Sequence, residues 1–125
     1  MGEDAGFREL VGAELSSTGE GRAVVEVRAE ERHLNPGGTV HGGVVYTLVD
    51  VSMAEALKTI IPEGDERPVT IEIKVNYLEP GRAGTLTSAA QIRKGGKRVT
   101  IVEAEVAQDG EVVALATGTY TIVGG

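Results

Sequence analysis

Two adjacent glycines within residues 35–50 have the type and placement needed to act on a carbonyl group. Gly42 and Gly43 directly follow His41. They fall in the first turn of a predicted helix, where backbone N–H groups have no partner within the helix. The positive end of the helix dipole lies there, and a carbonyl can approach closely because glycine has no Cβ. The alternative is that the glycines only allow tight packing at the helix start.

Asp50 is the acid that could activate water or attack the carbonyl carbon. It is flanked by Leu48, Val49 and Val51 inside an apolar stretch. A buried carboxylate without a partner is costly, so acids in such places are candidates for functional sites. The alternative is a structural acid that is hydrogen-bonded or partly exposed. Glu55, on the same predicted helix, is a weaker candidate for which a structural role is favoured.

The apolar run at residues 44–57 predicts the helix that positions both features. The run is apolar nearly all round, which is typical of a buried helix, and Pro62 cannot continue it. A loop with Pro36 and a glycine pair precedes it. Because residues 44–51 are rich in β-branched side chains, a strand is the competing prediction; the length of the run and the glycine loop favour the helix.

Alternating apolar and polar residues predict strands on both sides of this helix. Residues 7–29 predict a hairpin or one long bent strand, and residues 69–77 give the clearest half-buried strand. Further strands joined by glycine turns are predicted at 85–92, 99–107 and 112–123. Because one apolar helix and one sheet must bury each other, we expect a single α+β domain over residues 1–125. This is the hotdog fold, a long apolar helix wrapped by a curved antiparallel sheet of five or six strands.

The composition argues against several classes of protein. The absence of cysteine excludes a disulfide scaffold, a thiolate metal site and a cysteine nucleophile. No apolar run approaches the ~20 residues of a membrane span, and residues 1–10 lack the regions of a signal peptide. We therefore expect a cytoplasmic protein without a membrane partner. The formal net charge of −7 argues against nucleic-acid binding, and two histidines without an acidic cluster predict no metal site.

The spacing of these residues resembles the PaaI-type and human-thioesterase-superfamily branch of the hotdog thioesterases. Their signature is an asparagine, then His-Gly-Gly six residues later, then an aspartate nine residues after the histidine. Asn35, His41 and Asp50 meet every spacing. The resemblance extends over residues 69–77, the Pro80 turn and the glycine–lysine hairpin. It implies hydrolysis of an aryl or medium-chain acyl-CoA thioester, with coenzyme A as part of the substrate and no separate cofactor.

The resemblance also implies roles for four residues of the segment. It makes the Gly42 amide the donor to the oxyanion, and Asp50 either the general base or the nucleophile. Asn35 and His41 would orient the thioester and the loop. For His41, purely structural positioning is the alternative.

Thr70 matches a position where the family often has serine or threonine near the catalytic acid. Its hydroxyl could hold the attacking water, or the residue could be present only for its β-propensity. Glu72 and Asn76 follow on the same predicted strand face and could also approach the site. His33 is interpreted as an ordinary loop residue.

Helix geometry separates the two halves of the signature. Asp50 lies nine residues beyond His41, which on a helix is about 13–14 Å along the axis and roughly 180° around it. Gly42 and Asp50 of one helix therefore cannot act on the same carbonyl. A two-fold axis would bring the glycines of one protomer to the aspartate of the other. The catalytic interpretation thus predicts a homodimer with two composite sites, and the resemblance implies that dimers assemble into a homotetramer.

Coenzyme A, which is acidic, would need a local basic patch on this negatively charged chain. The family uses the turn after its second core strand and the next hairpin. The matching positions here are Tyr77, Arg82, Lys94, Gly95, Gly96, Lys97 and Arg98. The alternative is a pair of ordinary solvated turns.

Three other functions compete with hydrolysis. The main one is a hotdog module that binds acyl-CoA without cleaving it. The second is a hydratase or dehydratase acting on an acyl thioester, which uses a differently placed histidine and acid. The third is a purely structural oligomer. A serine hydrolase is disfavoured because the sequence contains no Gly-x-Ser-x-Gly.

Overall fold

One long helix lies against a six-stranded antiparallel sheet in the computed structural model, which describes residues 6–64, 66–96 and 98–124. The helices are α1 (Phe7–Val11) and α2 (Gly42–Lys58), with a 3₁₀ turn at Glu31–His33. The strands are β1 (Glu14–Gly19), β2 (Arg22–Ala29), β3 (Arg67–Tyr77), β4 (Gly84–Gly95), β5 (Thr100–Gln108) and β6 (Glu111–Val123). The predicted α+β arrangement is confirmed, including the helix and the four strands that follow it.

The order of strands across the sheet is β1-β2-β4-β5-β6-β3, and every neighbouring pair is antiparallel. The first strand after α2 therefore pairs with the last strand of the chain. This leaves β3 at one edge of the sheet and β1 at the other. One side of β3 consequently has no neighbouring strand among those described, and such an edge can pair with another chain.

The core between α2 and the sheet is built from small and medium-sized apolar side chains. Leu48, Val49, Met53 and Leu57 of the helix are fully buried. The helix approaches β6 closely at Gly118, where an added Cβ would lie 2.5 Å from the Met53 sulfur. A larger residue at this point would have to displace the Met53 side chain. In the described part of the chain, no helix is both long and apolar enough to cross a membrane.

A buried pair of serines joins α2 to β4. Ser52 and Ser88 are both fully buried, and their hydroxyl oxygens are 2.8 Å apart. Ser52 also donates to the Val49 carbonyl at 3.0 Å, so Ser88 supplies the proton between the two hydroxyls. Both polar groups are thereby satisfied, which avoids the cost of a buried unpaired hydroxyl.

The N-terminal segment differs from the prediction of strand alone over residues 7–29. Phe7–Val11 forms the short helix α1, which ends at Gly12 with a left-handed φ of 87°. Arg8 pairs with Glu55 of α2 at 2.7 Å, and Lys58 lies 3.5 Å from the same carboxylate oxygen. This long-range ion pair docks α1, and it gives Glu55 the structural role that the sequence favoured.

A β-bulge in β3 overturns part of the predicted alternation, in which residues 69 and 71 share the buried face of residues 73 and 75. The register with β6 shifts between Thr70 and Glu72. Ile73 and Val75 pack against the core, whereas Val69 and Ile71 are 36% and 56% exposed. The extra residue exchanges the two faces of the strand. As a result, the Thr70 side chain is directed to α2.

Candidate active site

Asp50 lies on α2 and is held by hydroxyl groups from the two strands at this edge of the sheet. The Tyr120 hydroxyl donates to Asp50 Oδ1 at 2.6 Å, and the Thr70 hydroxyl donates to the same oxygen at 3.1 Å. Oδ2 accepts no hydrogen bond from the described residues, and Asp50 is partly exposed. No buried side-chain oxygen of the described residues lacks a hydrogen bond, so the unbonded Oδ2 is not buried and is open to solvent. One carboxylate oxygen is thus held in place and the other is accessible to solvent.

Tyr120 is the residue of this cluster that sequence reasoning missed. Its side chain is almost fully buried in the core, with only 1% exposed. Burial, and then the hydrogen bond to Asp50, raise the pKa of the Tyr120 hydroxyl above its ordinary value. The sequence shows only a tyrosine in an alternating strand. Its position beside Asp50 depends on β6 pairing with β3 so that Tyr120 faces Thr70.

The start of α2 presents two backbone donors. The helix begins at Gly42 with His41 as its N-cap, and no side chain caps it. Within the described chain, the N–H groups of Gly42 and Gly43 have no hydrogen-bond partner, and both residues are exposed. Free amides at the positive end of a 17-residue helix attract negative charge. The predicted placement of these glycines is confirmed.

Tyr77, predicted to contact coenzyme A, lies against this helix start. Its hydroxyl donates to the Gly42 carbonyl at 2.8 Å. A Cβ on Gly42 would lie 3.3 Å from the Tyr77 hydroxyl oxygen, so the ring closely covers the glycine. Burial, and then Tyr46, raise the pKa of Tyr77. Tyr77 therefore supports the Gly42 peptide, and its contact with coenzyme A stays a prediction.

Asn35 and His41 both shape the backbone before α2. Asn35 Oδ1 accepts the N–H groups of Gly37 and Thr39 at 3.0 and 3.3 Å, and Asn35 Nδ2 donates to the Thr39 hydroxyl at 2.9 Å. The His41 N–H donates to the His33 carbonyl at 2.9 Å, while His41 as a whole is exposed. Asn35 thus orients the loop, and the His41 ring remains available at the helix start.

The interpretation of His33 as an ordinary loop residue is wrong. His33 is 4% exposed and belongs to the 3₁₀ turn. Its Nδ1 accepts the Glu30 N–H at 2.9 Å, and Nε2 lies 2.7 Å from the Val11 carbonyl. An Nδ1 that accepts requires the proton on Nε2, which donates to that carbonyl. His33 therefore ties the end of α1 to the turn, and the sequence gave no local sign of this contact.

The chain carries two separate half-sites at the two ends of β3. The carboxylate half-site comprises Asp50, Thr70 and Tyr120, and the glycine half-site comprises His41, Gly42, Gly43 and Tyr77. Thr70 and Tyr77 are seven residues apart on β3, which corresponds to roughly 20 Å of extended strand. The two half-sites therefore do not meet within one chain, as the helix arithmetic predicted.

The basic residues proposed for coenzyme A also divide between the two ends. Arg82 follows β3 at the Tyr77 end, where Gln108 holds its backbone N–H and carbonyl at 2.8 and 2.7 Å. Lys94, Gly95, Gly96 and Arg98 lie at the far end of β4, and Lys97 lies outside the described residues. The 12 residues of β4 separate the two groups by roughly 35–40 Å. The far end of β4 lies on the same side of the sheet as the carboxylate half-site, because Gly95 pairs with Thr100 and Thr100 pairs with Tyr120.

The outer face of the sheet contains a trough of about 630 Å³ on the side away from α2. Its lining includes Arg22, Lys74, Asn76, Glu103 and Leu115, and none of the half-site residues. The prediction that Asn76 approaches the site is therefore wrong. Glu72 lies four residues before Asn76 on β3 and faces the same side of the sheet. The bulge after Thr70 is the reason. Among the described residues, no three histidine or acidic side chains cluster to hold a metal ion.

Comparison with known proteins identifies similar sequences and structures. Residues 37–115 match the family model described as the thioesterase superfamily. Acyl-coenzyme A thioesterase PaaI of Escherichia coli K12 is 32% identical over 127 residues, covering 100% of this chain and 88% of that protein. The 1,4-dihydroxy-2-naphthoyl-CoA hydrolase of Listeria monocytogenes is 33% identical over 107 residues, covering 85% of each chain. The solved structure of a conserved protein from Pseudomonas aeruginosa is 35% identical with a TM-score of 0.88, covering 95% of this chain and 94% of that one.

Proposed function

This chain belongs to the thioesterase superfamily and is a thioester hydrolase acting on acyl-CoA, and on that premise we propose a composite active site in a homodimer. Asp50 of one protomer and the Gly42 amide of its partner act on the same thioester. The proposal rests on one observation: the Asp50 carboxylate, which is held through one oxygen, lies far along the edge strand β3 from the free amides of Gly42 and Gly43. Neither half-site is sufficient alone.

Pairing of β3 with β3 of a second copy would join the half-sites. A two-fold axis near the middle of β3 would set the Thr70 end of one strand opposite the Tyr77 end of the other. The free edge of β3 supports this arrangement, since it exposes Val69 and Ile71 at 36% and 56%. Exposed β-branched residues on an unpaired edge are typical of a strand that pairs with a partner.

The chemistry divides between the two half-sites. The Gly42 N–H would polarise the thioester carbonyl and stabilise the oxyanion. Asp50 Oδ2 would either take a proton from the attacking water or attack the carbonyl carbon itself, giving an acyl anhydride that water then hydrolyses. In both routes the tetrahedral intermediate collapses, the C–S bond breaks, and the CoA thiolate leaves and is protonated. The products are the free acid and CoA.

The same dimer would collect the basic residues around the substrate. Arg82 lies at the end with the glycine half-site, and Lys94 and Arg98 lie at the end with the carboxylate half-site. Two-fold pairing brings one group from each protomer to each site, which offsets the net charge of −7 where phosphate must bind. We propose an aryl or medium-chain acyl group, in line with the naphthoyl-CoA hydrolase among the relatives. A cytoplasmic homotetramer of two such dimers is the expected assembly.

Release of free thiol from a panel of aryl- and acyl-CoA esters tests the proposed function. Asp50→Ala and Asp50→Asn should each lower kcat by at least about 10²-fold, as expected for loss of a general base or nucleophile. Glu55→Gln is the matched control, because Glu55 lies on the same helix but pairs with Arg8. Full activity in both Asp50 variants would contradict the mechanism. No thiol release from any ester, with CoA still bound tightly, would favour the non-catalytic binding module.

A further inference from the structure

Tyr120 contacts the proposed reacting group, although the mechanism above assigns it no role. Its hydroxyl oxygen lies 2.6 Å from Asp50 Oδ1 and 3.2 Å from the Asp50 backbone carbonyl. The match to the superfamily model ends at residue 115, before this tyrosine. The side chain is fixed on all sides by the core, with 1% of its surface exposed.

We propose that Tyr120 is a positioning residue that fixes the Asp50 carboxylate through Oδ1 and so selects Oδ2 as the reacting oxygen. The inference rests on the proposed function. Rotation of a carboxylate about its terminal bond has broad, weak preferences, so the two oxygens are not distinguished by the side chain itself. Two donors on the same oxygen, Tyr120 at 2.6 Å and Thr70 at 3.1 Å, remove that freedom.

The buried phenol keeps its proton beside the acid that it contacts. Burial and the neighbouring Asp50 raise the pKa of Tyr120, while Thr70 acts in the opposite direction and is outweighed. The other titratable group that acts on Tyr120 is Tyr46, which lies on α2 like Asp50. A phenol that keeps its proton acts as a hydrogen-bond donor to Asp50 Oδ1.

The sheet register delivers both hydroxyls to one point. Thr70 and Tyr120 are paired residues on β3 and β6, and the bulge directly after Thr70 turns its side chain to the same face as Tyr120. The shorter contact comes from the residue with the more rigid surroundings: Tyr120 is in the core, and Thr70 is exposed on an edge strand. Tyr120 is therefore expected to contribute more to positioning than Thr70.

Removal of the single hydroxyl in Tyr120→Phe tests the inference, since the ring remains to fill the core. We expect kcat to fall on the order of tenfold, the size of one hydrogen bond to a charged group. KM should change by less than about twofold, because the variant misplaces the carboxylate and leaves substrate binding intact. Tyr46→Phe is the matched control, because its hydroxyl makes no hydrogen bond to the described residues. It should match wild type in both kcat and KM.

A crystal structure of Tyr120→Phe provides a second measurement that does not depend on turnover. The Asp50 carboxylate should be rotated or in two conformers in Tyr120→Phe, and in one orientation in wild type and in Tyr46→Phe. Unchanged kcat, with only a lower Tm, would overturn the inference, as would an unchanged carboxylate orientation. A wild-type protein that cleaves no thioester would instead remove the proposed function and the catalytic role built on it, while the structure of the variant would still decide whether Tyr120 fixes the carboxylate.

Discussion

The two half-sites are built by different means. The glycine half-site consists of consecutive residues whose backbone N–H groups are aimed by the helix that follows them, with Tyr77 as its only distant member. The carboxylate half-site gathers three side chains from three elements, at positions 50, 70 and 120. A backbone donor is oriented by local geometry, whereas a carboxylate needs partners from elsewhere in the chain. The first half therefore depends on a helix start and the second on sheet register.

The largest effect that separates the half-sites should come from Gly42→Pro. Proline is favoured at the first helical position and removes the N–H, and the His41 backbone, with φ −55° and ψ 137°, suits a residue before proline. We expect kcat to fall by about 10²–10³-fold, as for loss of one oxyanion donor. Gly42→Ala retains the N–H and only displaces the Tyr77 ring, so it should lose much less. Equal losses in the two variants would contradict the amide's role.

A mixture of two inactive variants should recover activity if the half-sites act across protomers. When Gly42→Pro and Asp50→Ala are unfolded and refolded together, half of the dimers contain one chain of each variant. Each of these heterodimers has one intact site and one site that lacks both groups. About a quarter of wild-type activity is therefore expected from this two-fold arrangement. Each variant refolded alone is the control. Two stable mixed proteins with no recovered thiol release would show that Gly42 and Asp50 do not act on one substrate in trans.

Separation of the protomers should abolish activity while each chain stays folded. Ile71→Lys places a charge on the exposed edge of β3, where Ile71 is 56% exposed, and should block strand pairing. Sedimentation should show a smaller assembly than wild type, with thiol release reduced by at least about 10²-fold because each site then lacks a half. Leu15→Lys is the control on the opposite edge strand, where Leu15 is 43% exposed. A fully active monomer would contradict the composite site.

The smallest expected effect concerns the basic residues at the two ends. Arg82→Ala and Arg98→Ala should raise KM several-fold with little change in kcat, because an exposed charge on phosphate contributes about 0.2–1 kcal/mol. The effect should weaken with added salt. Arg93→Ala is the control, since Arg93 pairs with Glu103 at 3.3 Å. Unchanged KM in both variants would contradict phosphate binding at these turns.

The site could be predicted from the sequence only where it is local. The sequence predicts Gly42 from its place at a helix start, Asp50 from its place in an apolar run, and Thr70 from the resemblance. Tyr120 and the buried His33 were not identified, because both depend on contacts with residues far along the chain. Glu72 and Asn76 were assigned to the wrong face, because one extra residue in β3 inverts the alternation.

The sequence by itself determined the helix, the four strands after it and the distance between Gly42 and Asp50, since each follows from local periodicity or helix rise. It also determined that Gly42 and Asp50 of the same helix cannot both act on one carbonyl group. Only the tertiary structure decided which strand lies at the edge, where β3 bulges and which hydroxyls hold Asp50. Those features come from contacts between residues up to 70 positions apart, and a one-residue change of register, which the local pattern did not reveal here, moves every side chain to the other face.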